Sequence, residues 1–135
     1  MTYTGGCACG AVRYEIAADP VLSWKCQCRD CQRASGTGHG SGVGFPKAAV
    51  RMTGTLKFYE VRAASGNIAG RGFCPICGAW VASTTSGFPD LAIVTAGSLD
   101  EPGKFAPQLV CWASSGHAWD DVAQGLPKYE KMPPA

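Results

Sequence analysis

Seven of the eight cysteines fall in three tight clusters: Cys7 and Cys9 as C-x-C, Cys26, Cys28 and Cys31 as C-x-C-x-x-C, and Cys74 and Cys77 as C-P-I-C. No other feature constrains the fold as strongly. Two cysteines one or two residues apart on a turn can both reach one zinc ion at about 2.3 Å without straining the backbone. Glycines beside such turns let backbone amides approach the sulfurs, and Gly6, Gly10 and Gly78 stand where that is useful. If Cys7, Cys9, Cys74 and Cys77 share one ion, they form a closed four-thiolate site, and closed sites are structural. Cys26, Cys28 and Cys31 then remain, three thiolates with no fourth ligand beside them. Three protein ligands and an open position is the pattern of a catalytic zinc.

Metal is the better reading of these thiols because the start, Met1 to Cys7, lacks the charged and then apolar run of an export signal. In a reducing compartment thiolates bind metal more often than they pair as disulfides, so a soluble, cytoplasmic chain is expected. No apolar stretch approaches the roughly 20 residues of a membrane helix. The 12 basic and 10 acidic residues are thinly spread, without the basic tract that follows a phosphate backbone, so neither membrane nor nucleic acid is an expected partner. Self-association into a homo-oligomer is left open.

With 135 residues the chain fits one domain, and 18 glycines and 9 prolines favour turns and short strands over long helices. Val12, Tyr14 and Ile16 alternate with Arg13 and Glu15, the period of a half-buried strand, whose hairpin partner should follow it. Val21 to Lys25 is the next candidate. Further strands are expected at Val50 to Thr53, Leu56 to Arg62, Ile68 to Phe73, Trp80 to Thr84, Leu91 to Ala96 and Leu109 to Ala113. Cys28 to Ser35 is polar with room for a single helical turn, and the glycine-rich run Gly36 to Gly42 reads as a loop or irregular edge. The tail from Gly125 to Ala135 reads as an irregular arm, lying over the domain or loose in solvent. The expected class is all-β, built of short antiparallel strands and hairpins.

Three thiolates on a divalent ion leave one excess negative charge. Lys25, Arg29 and Arg33 lie close in sequence to offset it or to hold an acidic substrate, unless they are simply solvated. Cys111, in the apolar run Leu109 to Trp112, is either a buried core thiol or a fourth ligand that would close the second site. His39 and His117 have no spaced partner and read as surface or hydrogen-bonded residues. Trp24, Phe58, Tyr59, Phe73, Trp80, Trp112 and Trp119 are most simply core.

Four segments together carry a family resemblance: Gly5-Gly6-Cys7-Ala8-Cys9-Gly10, Cys26-Gln27-Cys28-Arg29-Asp30-Cys31, Arg71-Gly72-Phe73-Cys74-Pro75-Ile76-Cys77-Gly78 and Gly97-Ser98-Leu99-Asp100. Over nearly its whole length the chain resembles the glutathione-dependent formaldehyde-activating enzyme family, which includes centromere protein V and has the Mss4-like fold. The resemblance implies a structural zinc at Cys7, Cys9, Cys74 and Cys77, and a second zinc at Cys26, Cys28 and Cys31 that activates glutathione or another small thiol. It also implies carbon-sulfur lyase activity on thiol-aldehyde adducts such as S-hydroxymethylglutathione. Two departures stand out: Gln27 and Val110 occupy positions where many members carry histidine.

Two other functions fit the residues. One is a zinc-ribbon-like binding module with structural zinc only, and the other is a redox-sensing thiol centre at the Cys26 cluster, which would form disulfides reversibly and release metal.

Overall fold

A computed structural model describes residues 1–120 and 125–134. Among these residues ten strands and one α-helix follow each other as β1 (Tyr3–Gly6), β2 (Arg13–Ile16), β3 (Leu22–Cys26), α1 (Arg29–Ser35), β4 (Gly40–Pro46), β5 (Val50–Thr53), β6 (Lys57–Arg62), β7 (Ile68–Phe73), β8 (Trp80–Thr85), β9 (Leu91–Thr95) and β10 (Leu109–Cys111). They form a three-stranded sheet in the order β1-β2-β5 and a seven-stranded sheet in the order β10-β3-β4-β9-β8-β7-β6. No helix among the described residues is long and apolar enough to cross a membrane.

The alternation in β2 does what its period demands: Tyr14 and Ile16 are buried while Arg13 and Glu15 face out. Its partner, however, precedes it. β1 pairs with β2 so that Tyr3 faces Ile16 and Gly5 faces Tyr14, and β5 flanks the other side. The segment expected to complete the hairpin, one residue out of register as Leu22–Cys26, joins the other sheet instead. Tyr3, Tyr14 and Ile16 from the small sheet meet Val43, Phe45, Val81 and Val94 from the large one in a common core. The Tyr3 and Phe45 rings lie 5.1 Å apart between centroids.

Gly5 sits where no side chain fits. A Cβ there would stand 2.3 Å from both the Ser98 carbonyl oxygen and the Tyr14 hydroxyl, so the backbone itself would have to move. Gly5→Ala should therefore lower stability by about 1–3 kcal/mol, read as a lower urea midpoint with unchanged slope.

The glycine run reads differently in three dimensions. Gly40 to Pro46 is an interior strand of the large sheet, paired with β3 and β9, where a loop was expected up to Gly42. Its period is two: Val43 and Phe45 enter the main core, while Gly40, Gly42 and Gly44 present bare backbone to the opposite face. There a Cβ would stand 2.9 Å from the Trp80 ring at Gly40 and 2.7 Å from the Trp24 ring at Gly42. Gly40 and Gly42 are needed for close approach of two indoles rather than for a turn.

The remaining strands depart little from expectation. β5 and β7 have the expected bounds, β6 begins one residue late at Lys57, β8 runs on to Thr85 and β9 stops at Thr95. β10 ends at Cys111 because Trp112 adopts φ 58°, the only positive φ outside glycine among the described residues. One pair is not antiparallel: β10 lies parallel to β3, with Cys111 beside Cys26.

The C-terminal arm, described as far as Pro134, lies along β10 and is not a loose tail. Ala135 is outside the described residues. Val110 N–H donates to the Pro127 carbonyl, Tyr129 N–H to Val110, Trp112 N–H to Lys131, Ala113 N–H to Tyr129 and Ser114 N–H to Glu130. The two bonds at Val110 cover what would otherwise be an open sheet edge, and the other three hold the segment that follows β10. At a net worth of about 1 kcal/mol per bond, truncation after Gly125 should cost several kcal/mol. It should also produce concentration-dependent self-association in sedimentation runs.

Candidate metal centres

The first centre joins two similar turns. After β1 the chain turns through Cys7 to Gly10, where Gly10 takes φ 83°, and the Val12 N–H points at the Cys7 sulfur from 3.2 Å. After β7 it turns through Cys74 to Gly78, where Gly78 takes φ 77° and its N–H closes the turn on the Cys74 carbonyl at 2.8 Å. The left-handed conformation each turn requires is why glycine follows each cysteine pair. Cys7 and Cys74 are buried, while Cys9 and Cys77 are exposed.

The four sulfurs lie within 4.8 Å of one another. In a tetrahedral site with metal-sulfur bonds of about 2.3 Å, neighbouring sulfurs stand about 3.8 Å apart. Cys7 and Cys9 are separated by 3.6 Å, and Cys9 and Cys74 by 3.8 Å. The donor set thus fits a tetrahedral thiolate-bound ion. The Val12 N–H lowers the Cys7 thiol below its ordinary value, and the Ala79 N–H, with that of Cys9, brings Cys77 down to about 6.

The second centre is built at a strand-to-helix junction. Cys26 ends β3, Cys28 is the N-cap of α1, and Cys31 lies in its first turn. The helix is longer than the single turn expected, seven residues, and it stops at Gly36 with φ 78°. The Cys28 sulfur accepts the Cys31 N–H at 3.3 Å, as a capping oxygen would. These three sulfurs also lie within 4.8 Å of one another. Hydrogen bonds from Cys26 and Cys31 hold the Cys28 thiol far down, at about 2. The neighbouring thiols of Cys111 and Cys28 push Cys26 up, and those of Cys26 and Cys28 push Cys31 up. Three thiols this close titrate as a unit, and a cation among them would let all of them ionise.

Cys111 stands outside that set. It is buried beside Cys26 across the parallel β3–β10 pair, and its thiol donates to the Lys25 carbonyl at 3.7 Å. Trp24, Trp80, Trp112 and Leu109 wall the cluster.

The polar surroundings differ from expectation in which cation reaches the sulfurs. Arg29 is exposed and bonds to the Gln32 side chain, and Arg33 is exposed. The cation at the cluster is Arg71, whose Nη2 lies 3.5 Å from the Cys31 sulfur. Its signal was a single charged residue between two glycines in an otherwise apolar strand, Ile68 to Phe73.

Gln27 and Val110 have structural work. Gln27 is buried, its Nε2 donates to the Asp120 carbonyl at 3.3 Å, and Gly116 packs bare backbone against it. Val110 is fully buried under the C-terminal arm. His39 is hydrogen-bonded, with Nδ1 at 2.9 and 3.1 Å from the Asp120 carboxylate oxygens. His117 bonds to Gln32 at 3.0 Å and stacks on Trp119. Gln32, which the sequence reading passed over, organises this region: its Nε2 also donates to the carbonyls of Gln27 and Ser115. Trp119 is 69% exposed and is not core. Nor are Phe58 and Tyr59, on the open edge strand β6.

The chain is similar in fold to a crystal structure of a Rhodobacter sphaeroides protein, with a TM-score of 0.58 at 17% identity over 93% of this chain and 98% of that one. No curated protein matches it. The sequence pattern of the glutathione-dependent formaldehyde-activating enzyme family matches residues 2–115. Both cysteine turns of the first centre and all of the second lie inside that match, and the chain belongs to the glutathione-dependent formaldehyde-activating enzyme family.

Proposed function

We propose that the protein is a zinc-dependent carbon-sulfur lyase acting on adducts between a small thiol, such as glutathione, and a small aldehyde, such as formaldehyde. In this reading Cys7, Cys9, Cys74 and Cys77 hold a structural zinc, and Cys26, Cys28 and Cys31 hold a reactive one. The observation that carries it is the contrast between the centres: four mutually close sulfurs in one and three in the other, among the described residues. With Cys111 bonded to the Lys25 carbonyl, an external thiol is the natural fourth donor of the second centre.

A zinc ion there would stabilise a thiolate sulfur and so favour its departure or attack. In the cleavage direction the carbon-sulfur bond of an S-hydroxymethyl thiol breaks with its electron pair on sulfur. The hydroxyl proton is released and the aldehyde leaves. Addition is the reverse. The protein's own part is positional: α1 and the end of β3 fix three sulfurs, and the indoles of Trp24, Trp80 and Trp112 exclude water on the cluster's apolar side. Seven thiolate ligands persist only where oxidation is slow, which supports work in the cytoplasm.

The test is zinc content and turnover on the same preparation. Two zincs per chain, faster formation of S-hydroxymethylglutathione from glutathione and formaldehyde, and a glutathione-induced change in the spectrum of cobalt-substituted protein are expected. One zinc with no response to thiol would sink the reading.

A further inference from the structure

Arg71 is expensive where it stands. Its side chain is half-buried, its guanidinium lies 5.8 Å from the Trp80 ring, and its Nε is the one buried side-chain nitrogen or oxygen without a hydrogen-bond partner among the described residues. An unsatisfied buried donor costs about 1–3 kcal/mol. What offsets that cost is the contact between Nη2 and the Cys31 sulfur at 3.5 Å, which is strong when the sulfur carries charge. Cys28 and Asp30 add negative charge nearby, and both Trp80 and Cys31 pack closely on the bare backbone of Gly40.

We propose that Arg71 is the positioning residue of the second centre: it orients the Cys31 sulfur and supplies the positive charge that balances three thiolates on a divalent ion. The proposal rests on the reading of Cys26, Cys28 and Cys31 as a zinc site. Three thiolates on a zinc ion carry a net charge of minus one, and a guanidinium touching one of the sulfurs brings the unit to neutrality beside an apolar wall. Neutrality matters there, because an uncompensated charge is disfavoured next to buried indoles. Arg71 also lies on β7 three residues before Cys74, which begins the turn directly after that strand, so the two roles must be separated by experiment.

Zinc titrated into wild type, Arg71→Met and Arg71→Lys, in competition with a chromophoric chelator, separates them. Wild type should bind two zincs. In Arg71→Met the tighter zinc should keep its affinity while the weaker one loosens by about 10–100-fold, the usual effect of removing a partner behind a ligand. Arg71→Lys, which keeps the charge without the planar fork, should recover part of that loss. The one-zinc form of Arg71→Met should melt no lower than that of wild type, since the unpartnered Nε is gone. A second zinc held with wild-type affinity by Arg71→Met would overturn the proposal and leave the two-centre reading intact. Equal weakening of both sites, or a markedly lower melting point of the one-zinc form, would make Arg71 a prop of β7 and overturn it too. A wild type that binds only one zinc would instead sink the two-centre reading, and the proposal with it.

Discussion

Cys74→Ser is expected to leave no cooperatively folded protein. Cys74 is fully buried directly after β7, and its sulfur lies 3.8 Å from that of Cys9, 65 residues earlier in the chain. A zinc ion in a small structural site contributes an apparent 10–16 kcal/mol to folding, against about 5–15 kcal/mol of net stability for a whole domain. Losing one of four ligands therefore removes more than the fold can spare. The measurement is the thermal transition by circular dichroism of the soluble fraction. Absence of a sharp transition is expected, and a cooperative melt within a few degrees of wild type would rule out a structural metal at this centre.

Cys28→Ser should behave in the opposite way: folded and inactive. Cys28 caps α1 through its sulfur, and serine is among the strongest N-cap residues, so its hydroxyl can take over the Cys31 N–H. Zinc content should fall from two per chain to one. Loss of several kcal/mol of charge stabilisation corresponds to a fall of about a thousandfold or more in adduct turnover. Retained turnover in a one-zinc variant would remove the second centre from the chemistry. Equal loss of folding in Cys28→Ser and Cys74→Ser would deny the two centres separate roles.

The three cysteine clusters were legible because ligand spacing is local: C-x-C and C-P-I-C turns announce themselves without knowledge of the fold, whereas the joining of Cys7 and Cys9 to Cys74 and Cys77 was a condition that the family resemblance supplied. The strands with clear alternation were legible for the same reason, Val12, Tyr14 and Ile16 above all. What escaped depends on residues far apart. Gly40 and Gly42 read as loop because glycine weakens a strand when considered alone, and the compensating indoles of Trp80 and Trp24 arrive from other segments. Arg71 went unassigned because its partner sulfur is 40 positions away, whereas Arg29 and Arg33 were favoured for proximity in sequence. The parallel pairing of β10 with β3 likewise joins segments more than 80 residues apart in their Cα register.

The first centre's reach along the chain also bears on how the protein is made. A ribosome adds about 5–20 residues per second, so after Cys7 and Cys9 emerge, roughly 3–13 seconds pass before Cys74 and Cys77 can meet them. Cys26, Cys28 and Cys31 emerge in that interval too, which places five thiols on a nascent chain that cannot yet complete its four-sulfur centre. The correct partition of those thiols is then decided late, when the second turn leaves the tunnel. Oxidants or competing metals in the cell act most strongly on the unfinished protein.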